Sequence, residues 1–76
     1  MSIGDIMYFK RIKDLRCDHD YSQQYVADYL KINRVVYSRY ETGIRDIPID
    51  LLIKLSYLYN VSVDYILELS NKKSKD

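Results

Sequence analysis

A chain of 76 residues makes one domain near the small end of what folds alone, so a single compact core is the economical solution. The formal charge is +1, and the single cysteine, Cys17, can form no internal disulfide. A reducing cytoplasm is therefore the natural home, with no zinc site, no cofactor and no membrane partner expected. No apolar run approaches about 18 residues and no basic stretch precedes an apolar one at the start, which argues against a membrane-spanning helix or a leader.

The chain has two Gly and one Pro, lacks an Asn-Gly or Asp-Gly hairpin turn, and repeats its apolar residues at three- and four-residue spacing. This pattern predicts an all-α fold. The first helix is expected over about Asp5–Asp18, with Tyr8, Ile12 and Leu15 inward and Lys10, Lys13 and Asp14 outward. Asp18, His19 and Asp20 break the pattern. Ser22 then caps a helix over Gln23–Leu30 whose inward face is Val26, Ala27 and Leu30, with Ala27 small enough for a second helix to cross closely. Asn33 caps the next, Arg34–Thr42. Its inward stripe is Val36, Tyr37 and Tyr40, while Arg34, Val35, Ser38 and Arg39 point away. Gly43 supplies a left-handed stop.

A polar loop, Ile44–Pro48, leads into a fourth helix ending near Tyr59, with Leu52, Leu55, Ser56 and Tyr59 inward. Pro48 fits at or before the first turn, where its missing N–H costs nothing. Asn60 ends this helix. Ser62 caps a fifth, which carries Asp64 in its first turn and Val63, Ile66 and Leu67 inward. The domain is expected over residues 1–69, with a frayed polar tail over 70–76 that carries Lys72, Lys73 and Lys75.

Charge is unevenly spread. Between Lys31 and Arg45 four cations (Lys31, Arg34, Arg39, Arg45) face one anion, Glu41, a local balance of +3. From Asp46 to Asn71, Lys54 faces Asp46, Asp50, Asp64 and Glu68, a balance of −3. An approaching polyanion would be steered to the first segment.

The stretch Tyr21–Gly43, two short helices joined tightly, has the sequence shape of a helix-turn-helix. With its surroundings it resembles the lambda-repressor-like domains, the XRE or Cro/CI-type family, over about Arg11 to Leu67. The resemblance is carried by Ile12-Lys13-Asp14-Leu15-Arg16, Ser22-Gln23, Ala27, Leu30, Tyr40-Glu41-Thr42-Gly43 and Val61-Ser62-Val63-Asp64-Tyr65-Ile66-Leu67. It implies a five-helix, all-α domain that binds double-stranded DNA as a small stand-alone transcriptional regulator, a repressor, working as a homodimer on a partly palindromic site. Its third helix would enter the major groove, with Arg34, Val35, Ser38 and Arg39 toward base edges. Gln23, Asn33 and Arg45 would meet phosphates, and Arg16 would pair with Glu41, partly buried, to hold the recognition helix in place. Two positions depart from the family pattern. Lys31 stands where glycine is usual, implying a strained left-handed residue or a different turn. Tyr37 and Tyr40 stand where Val, Ile or Leu is usual, and a buried tyrosine needs a hydroxyl partner and sets the third helix further from the second.

Each residue also has a plainer reading. Arg34 and Arg39 can be solvated charges, and Val35 can be a partly covered core residue instead of a contact to a thymine methyl. Gln23 can be an exposed first-turn residue, and Arg45 a loop charge. The nine tyrosines suggest stacking on single strands, but Tyr8, Tyr37, Tyr40 and Tyr59 fall on inward faces, leaving Tyr57 and Tyr65 exposed. Cys17 and His19 are read as helix-boundary residues, and a single His in a polar turn offers no catalytic arrangement. On the fifth helix Tyr65 and Leu69, four residues apart, form an outward apolar pair suited to a two-fold interface. A chain ending soon after that helix leaves regulation to concentration, an unknown protein partner or a ligand. The rival functional reading is an antitoxin-like or structural interaction module that keeps the fold without reading bases.

Overall fold

In the computed structural model, residues 9–68 are described. They form five helices: α1 (Lys10–Asp18), α2 (Gln23–Leu30), α3 (Arg34–Thr42), α4 (Ile49–Tyr59) and α5 (Val63–Ile66). The expected first turn of α1 with Tyr8, the outward Leu69 and the polar tail lie outside the described residues.

Side-chain caps start three of the helices. The Ser22 hydroxyl accepts the Tyr25 N–H at 3.0 Å, the Asn33 carbonyl oxygen accepts the Val35 N–H at 2.7 Å, and the Ser62 hydroxyl accepts the Tyr65 N–H at 2.9 Å. Each satisfies a donor that the first helical turn leaves without a partner. α4 instead begins behind Pro48, whose ring fixes φ at −63°.

The helix ends share one device. Asp20, Lys31 and Asn60 are all left-handed, at φ 57°, 60° and 54°. At each the following N–H reaches back to a carbonyl of the last turn: Tyr21 to Arg16, Ile32 to Ala27 and Val61 to Ser56, all at 3.0 Å. This double-bonded stop satisfies the last carbonyls and turns the chain sharply. Lys31 is thus the left-handed residue itself, and its turn has the ordinary geometry despite the missing glycine.

The core gathers Ile12 and Leu15 of α1, Val26, Ala27 and Leu30 of α2, Tyr37 and Tyr40 of α3, Leu51, Leu52, Leu55 and Tyr59 of α4, and Ile66 of α5. Ile47 and Val61 join it from the connections. α4 packs against both α2 and α5. Its buried face is therefore wider than the sequence suggests and takes in Leu51. α5 is a single turn, so only Ile66 is fully buried, and Val63 and Leu67 are half-covered.

Tyr65 is not exposed as its position on α5 suggested. It is half-buried, with the Arg11 guanidinium 4.2 Å over its ring while Arg11 Nη1 donates to the Tyr65 carbonyl at 2.8 Å. The docking of α5 against α1 brings this arginine across the tyrosine, a cation–π contact between residues far apart in the chain.

Candidate nucleic-acid interface

α2 and α3 are joined by only Lys31, Ile32 and Asn33, and Ala27, fully buried, stands where α2 meets α3. A side chain this small lets the two backbones approach, which fixes the angle at which α3 is presented. Residues 34, 35, 38 and 39 fall on one side of α3 by helical period. Arg34, Val35 and Arg39 are exposed and Ser38 is half-covered; Val35 is 46 % exposed and outside the core.

Glu41 anchors this helix from behind. It is 3 % exposed, and its carboxylate accepts hydrogen bonds from four donors. Arg16 grips it with two nitrogens, Nε to Oε2 at 2.6 Å and Nη2 to Oε1 at 3.2 Å. Tyr37 donates its hydroxyl to Oε2 at 2.5 Å, and Gln23 donates its amide to Oε1 at 3.1 Å. Arg16 also donates Nη1 to the Tyr21 carbonyl at 2.9 Å, so α1, the α1–α2 turn, α2 and α3 converge on one ion pair. Burial alone would raise the Glu41 pKa, but Arg16, Tyr37 and Gln23 together outweigh it and hold the carboxyl below the usual range. The Arg16 guanidinium is held above its ordinary value by its hydrogen bond to Glu41, against the opposing effect of burial. Burial and the Glu41 bond push the Tyr37 hydroxyl up, so it stays a proton donor. The buried tyrosine that the sequence left needing a partner finds it here.

The arrangement has an electrostatic consequence. Glu41 is the one anion between Lys31 and Arg45, and Arg16 neutralises it inside the fold. What that segment shows to solvent is Lys31, Arg34, Arg39 and Arg45, all exposed. The loop carrying Arg45 is tied to α3 by its N–H to the Arg39 carbonyl at 3.2 Å.

Other expected contacts have prior engagements. Asn33, exposed, uses its side-chain oxygen as the α3 cap. Gln23, half-buried, joins two networks, donating to Glu41 while its own oxygen accepts from Arg34 Nη1 at 3.5 Å. Sequence reasoning missed this link between the buried carboxylate and the exposed face; the signal was a glutamine and an arginine each opening one of two adjoining helices. His19 packs its ring against Tyr21 and Tyr59, at centroid distances of 5.5 and 5.0 Å, and Cys17 is exposed. Among the described residues no three His, Cys, Asp or Glu side chains gather in a metal-binding group, and no helix is long and apolar enough to cross a membrane.

A small, tightly joined α2–α3 pair in a segment whose exposed charges are all basic defines a class, and comparison with known proteins agrees. The helix-turn-helix family model matches residues 12–66. The chain is 43 % identical over 79 residues to the HTH-type transcriptional regulator ImmR of Bacillus subtilis (strain 168), covering 100 % of this chain and 58 % of that protein. It is 40 % identical over 62 residues to the SPbeta prophage-derived uncharacterized HTH-type transcriptional regulator YonR of the same organism, covering 82 % and 57 %. It is 38 % identical over 65 residues to the uncharacterized HTH-type transcriptional regulator YobD, also of that organism, covering 86 % and 58 %. No solved structure matches significantly. The chain belongs to the helix-turn-helix family. It spans a little more than half the length of these relatives.

Proposed function

We propose that this chain binds double-stranded DNA sequence-specifically as a transcriptional regulator, a repressor acting in the cytoplasm as a homodimer, with α3 in the major groove. The observation that carries the reading is the outward face of α3, with Arg34, Val35 and Arg39 exposed and Ser38 half-covered, on a helix locked from behind by the Glu41 network. A groove-reading helix must be rigid, because a misplaced guanidinium loses both hydrogen bonds to a guanine edge. Arg34 and Arg39 supply such bidentate donors, and Val35 an apolar surface for a thymine methyl. Gln23, Asn33 and Arg45 set the register on the phosphates, assisted by the N-terminus of α2. The relatives' names, all HTH-type transcriptional regulators, support the same reading.

Titrating the protein with duplexes selected from a random pool, over a range of salt, tests the proposal. Binding by phosphate contact weakens with a log–log slope of about −0.9 per phosphate neutralised. A steep slope together with an enriched sequence supports DNA reading; no enrichment and no slope would favour an interaction module that has kept only the fold.

A further inference from the structure

Tyr21, Tyr25 and Tyr29 recur every four residues from the α1–α2 turn to the end of α2. Tyr25 and Tyr29 are 50 % and 40 % exposed, and the half-buried Tyr21 holds its ring 4.4 Å from that of Tyr25, which joins the turn to the outer face of the helix. Asp28 lies on the same outward side by helical period, opposite the buried Val26, Ala27 and Leu30. Asp18 closes α1 and Asp20 stands in the turn. All three aspartates are exposed, no lysine or arginine occurs from residue 17 to residue 30, and the ion pairs among the described residues, Lys10–Asp14 and Arg16–Glu41, leave them out. Gln24 bonds Asp28 at 2.8 Å but brings it no charge.

We propose that this face of α2 docks an arginine-bearing segment of another protein. Charge chooses the occupant: three carboxylates around exposed rings repel a phosphate backbone or an anionic membrane and attract a cation. Ring chemistry narrows it to arginine, because a guanidinium lies flat on a tyrosine while its fork reaches a carboxylate with two donors. The fold already uses this pairing of side chains once, where the Arg11 guanidinium lies 4.2 Å over the Tyr65 ring. A convex helix face cannot enclose a small cation, so the contact has to be spread along a chain. Tyrosine and arginine are also the side chains that contribute most at the centres of protein interfaces.

The chain's own cations make a poor occupant. A copy docking its Lys31–Arg45 segment here would contact head to tail, a pairing that propagates instead of closing and that occupies the Arg34 and Arg39 needed on the DNA-binding reading. The docking proposal itself does not rest on that reading.

The test is titration of the isotope-labelled full chain with a blocked alanine–arginine helical peptide, and with lysine and glutamate versions of the same peptide, followed by amide shifts. The arginine peptide should shift amides of the α1–α2 turn and α2, the lysine peptide should bind more weakly, and the glutamate peptide not at all. Tyr25→Ala with Tyr29→Ala should weaken the arginine peptide by about fivefold or more, and Asp18→Asn, Asp20→Asn and Asp28→Asn combined should do likewise. All five side chains are exposed, and asparagine tolerates the left-handed conformation of Asp20, so both variants should fold, which circular dichroism checks. No binding of the arginine peptide, equal binding of the lysine or glutamate peptide, shifts that map elsewhere, or an affinity unchanged in both variants would overturn the proposal. Sedimentation of the chain alone supplies the remaining arm: self-association abolished by the tyrosine variant would give the face to a second copy instead.

Discussion

A buried carboxylate destabilises a fold unless every lone pair is answered, and Glu41 shows how far this chain goes to answer them. Removing it in Glu41→Ala strands the Arg16 guanidinium, whose side chain is only 14 % exposed, and frees the Tyr37 hydroxyl inside the core. A loss on the order of 3 kcal/mol in denaturant unfolding is expected. Because the folded carboxyl is held below its ordinary range, its contribution is complete above the unfolded value near 4.3 and is lost as pH falls through the lower folded value. Stability should therefore fall with acid over that window, and Glu41→Gln should flatten that fall. Two buried tyrosines offer a matched contrast. Tyr37 donates to Glu41, whereas the Tyr59 hydroxyl is buried without a hydrogen-bond partner among the described residues. Tyr37→Phe should cost about 2 kcal/mol, as loss of a hydrogen bond to a charge does, and Tyr59→Phe nothing or a slight gain. Equal losses from the two in thermal unfolding would contradict this division.

At the scale of elements, the boundaries of α2 and α3 were legible because local chemistry sets them. Ser22, Asn33 and Ser62 cap by their own side chains, and the stops at Gly43 and Asn60 need only a residue tolerant of positive φ. Lys31 lacks that tolerance. A left-handed conformation costs a non-glycine residue roughly 1–2 kcal/mol, and glycine's extra freedom in the unfolded chain takes back part of the relief, so Lys31→Gly should stabilise by about 0.5–1 kcal/mol. Lys31→Val should destabilise instead, and the pair of melting temperatures decides the point. What the sequence withheld depends on neighbours. Ile47 and Val61 are buried from connections that have no periodicity, Leu51 is buried because α4 faces two helices, and Tyr65 is covered by an arginine from α1. The outward set on α3 was readable from spacing alone, but Gln23's double engagement needed the fold. Gln23→Ala should accordingly do two things: weaken binding to all duplexes alike, and lower stability by about 1 kcal/mol through the lost bond to Glu41. Arg45→Ala should weaken binding alike on all sequences with stability unchanged.

For the molecule as a whole, the folding-in of Glu41 leaves a nearly neutral chain with one segment, Lys31 to Arg45, whose exposed charges are all basic: Lys31, Arg34, Arg39 and Arg45. Steering by these charges is screened within about 8 Å at physiological salt, so it speeds encounter without choosing a sequence. On the proposed reading, sequence choice falls to α3. The most direct measurement is therefore the ratio of affinities for the duplex enriched from a random pool and for its scrambled counterpart, in wild type and in Arg39→Ala at one salt concentration. The account predicts a wild-type preference that Arg39→Ala lowers by about tenfold to a hundredfold, mostly through loss on the enriched duplex. Equal affinities of the wild type for both duplexes, or an equal loss on both in Arg39→Ala, would contradict it.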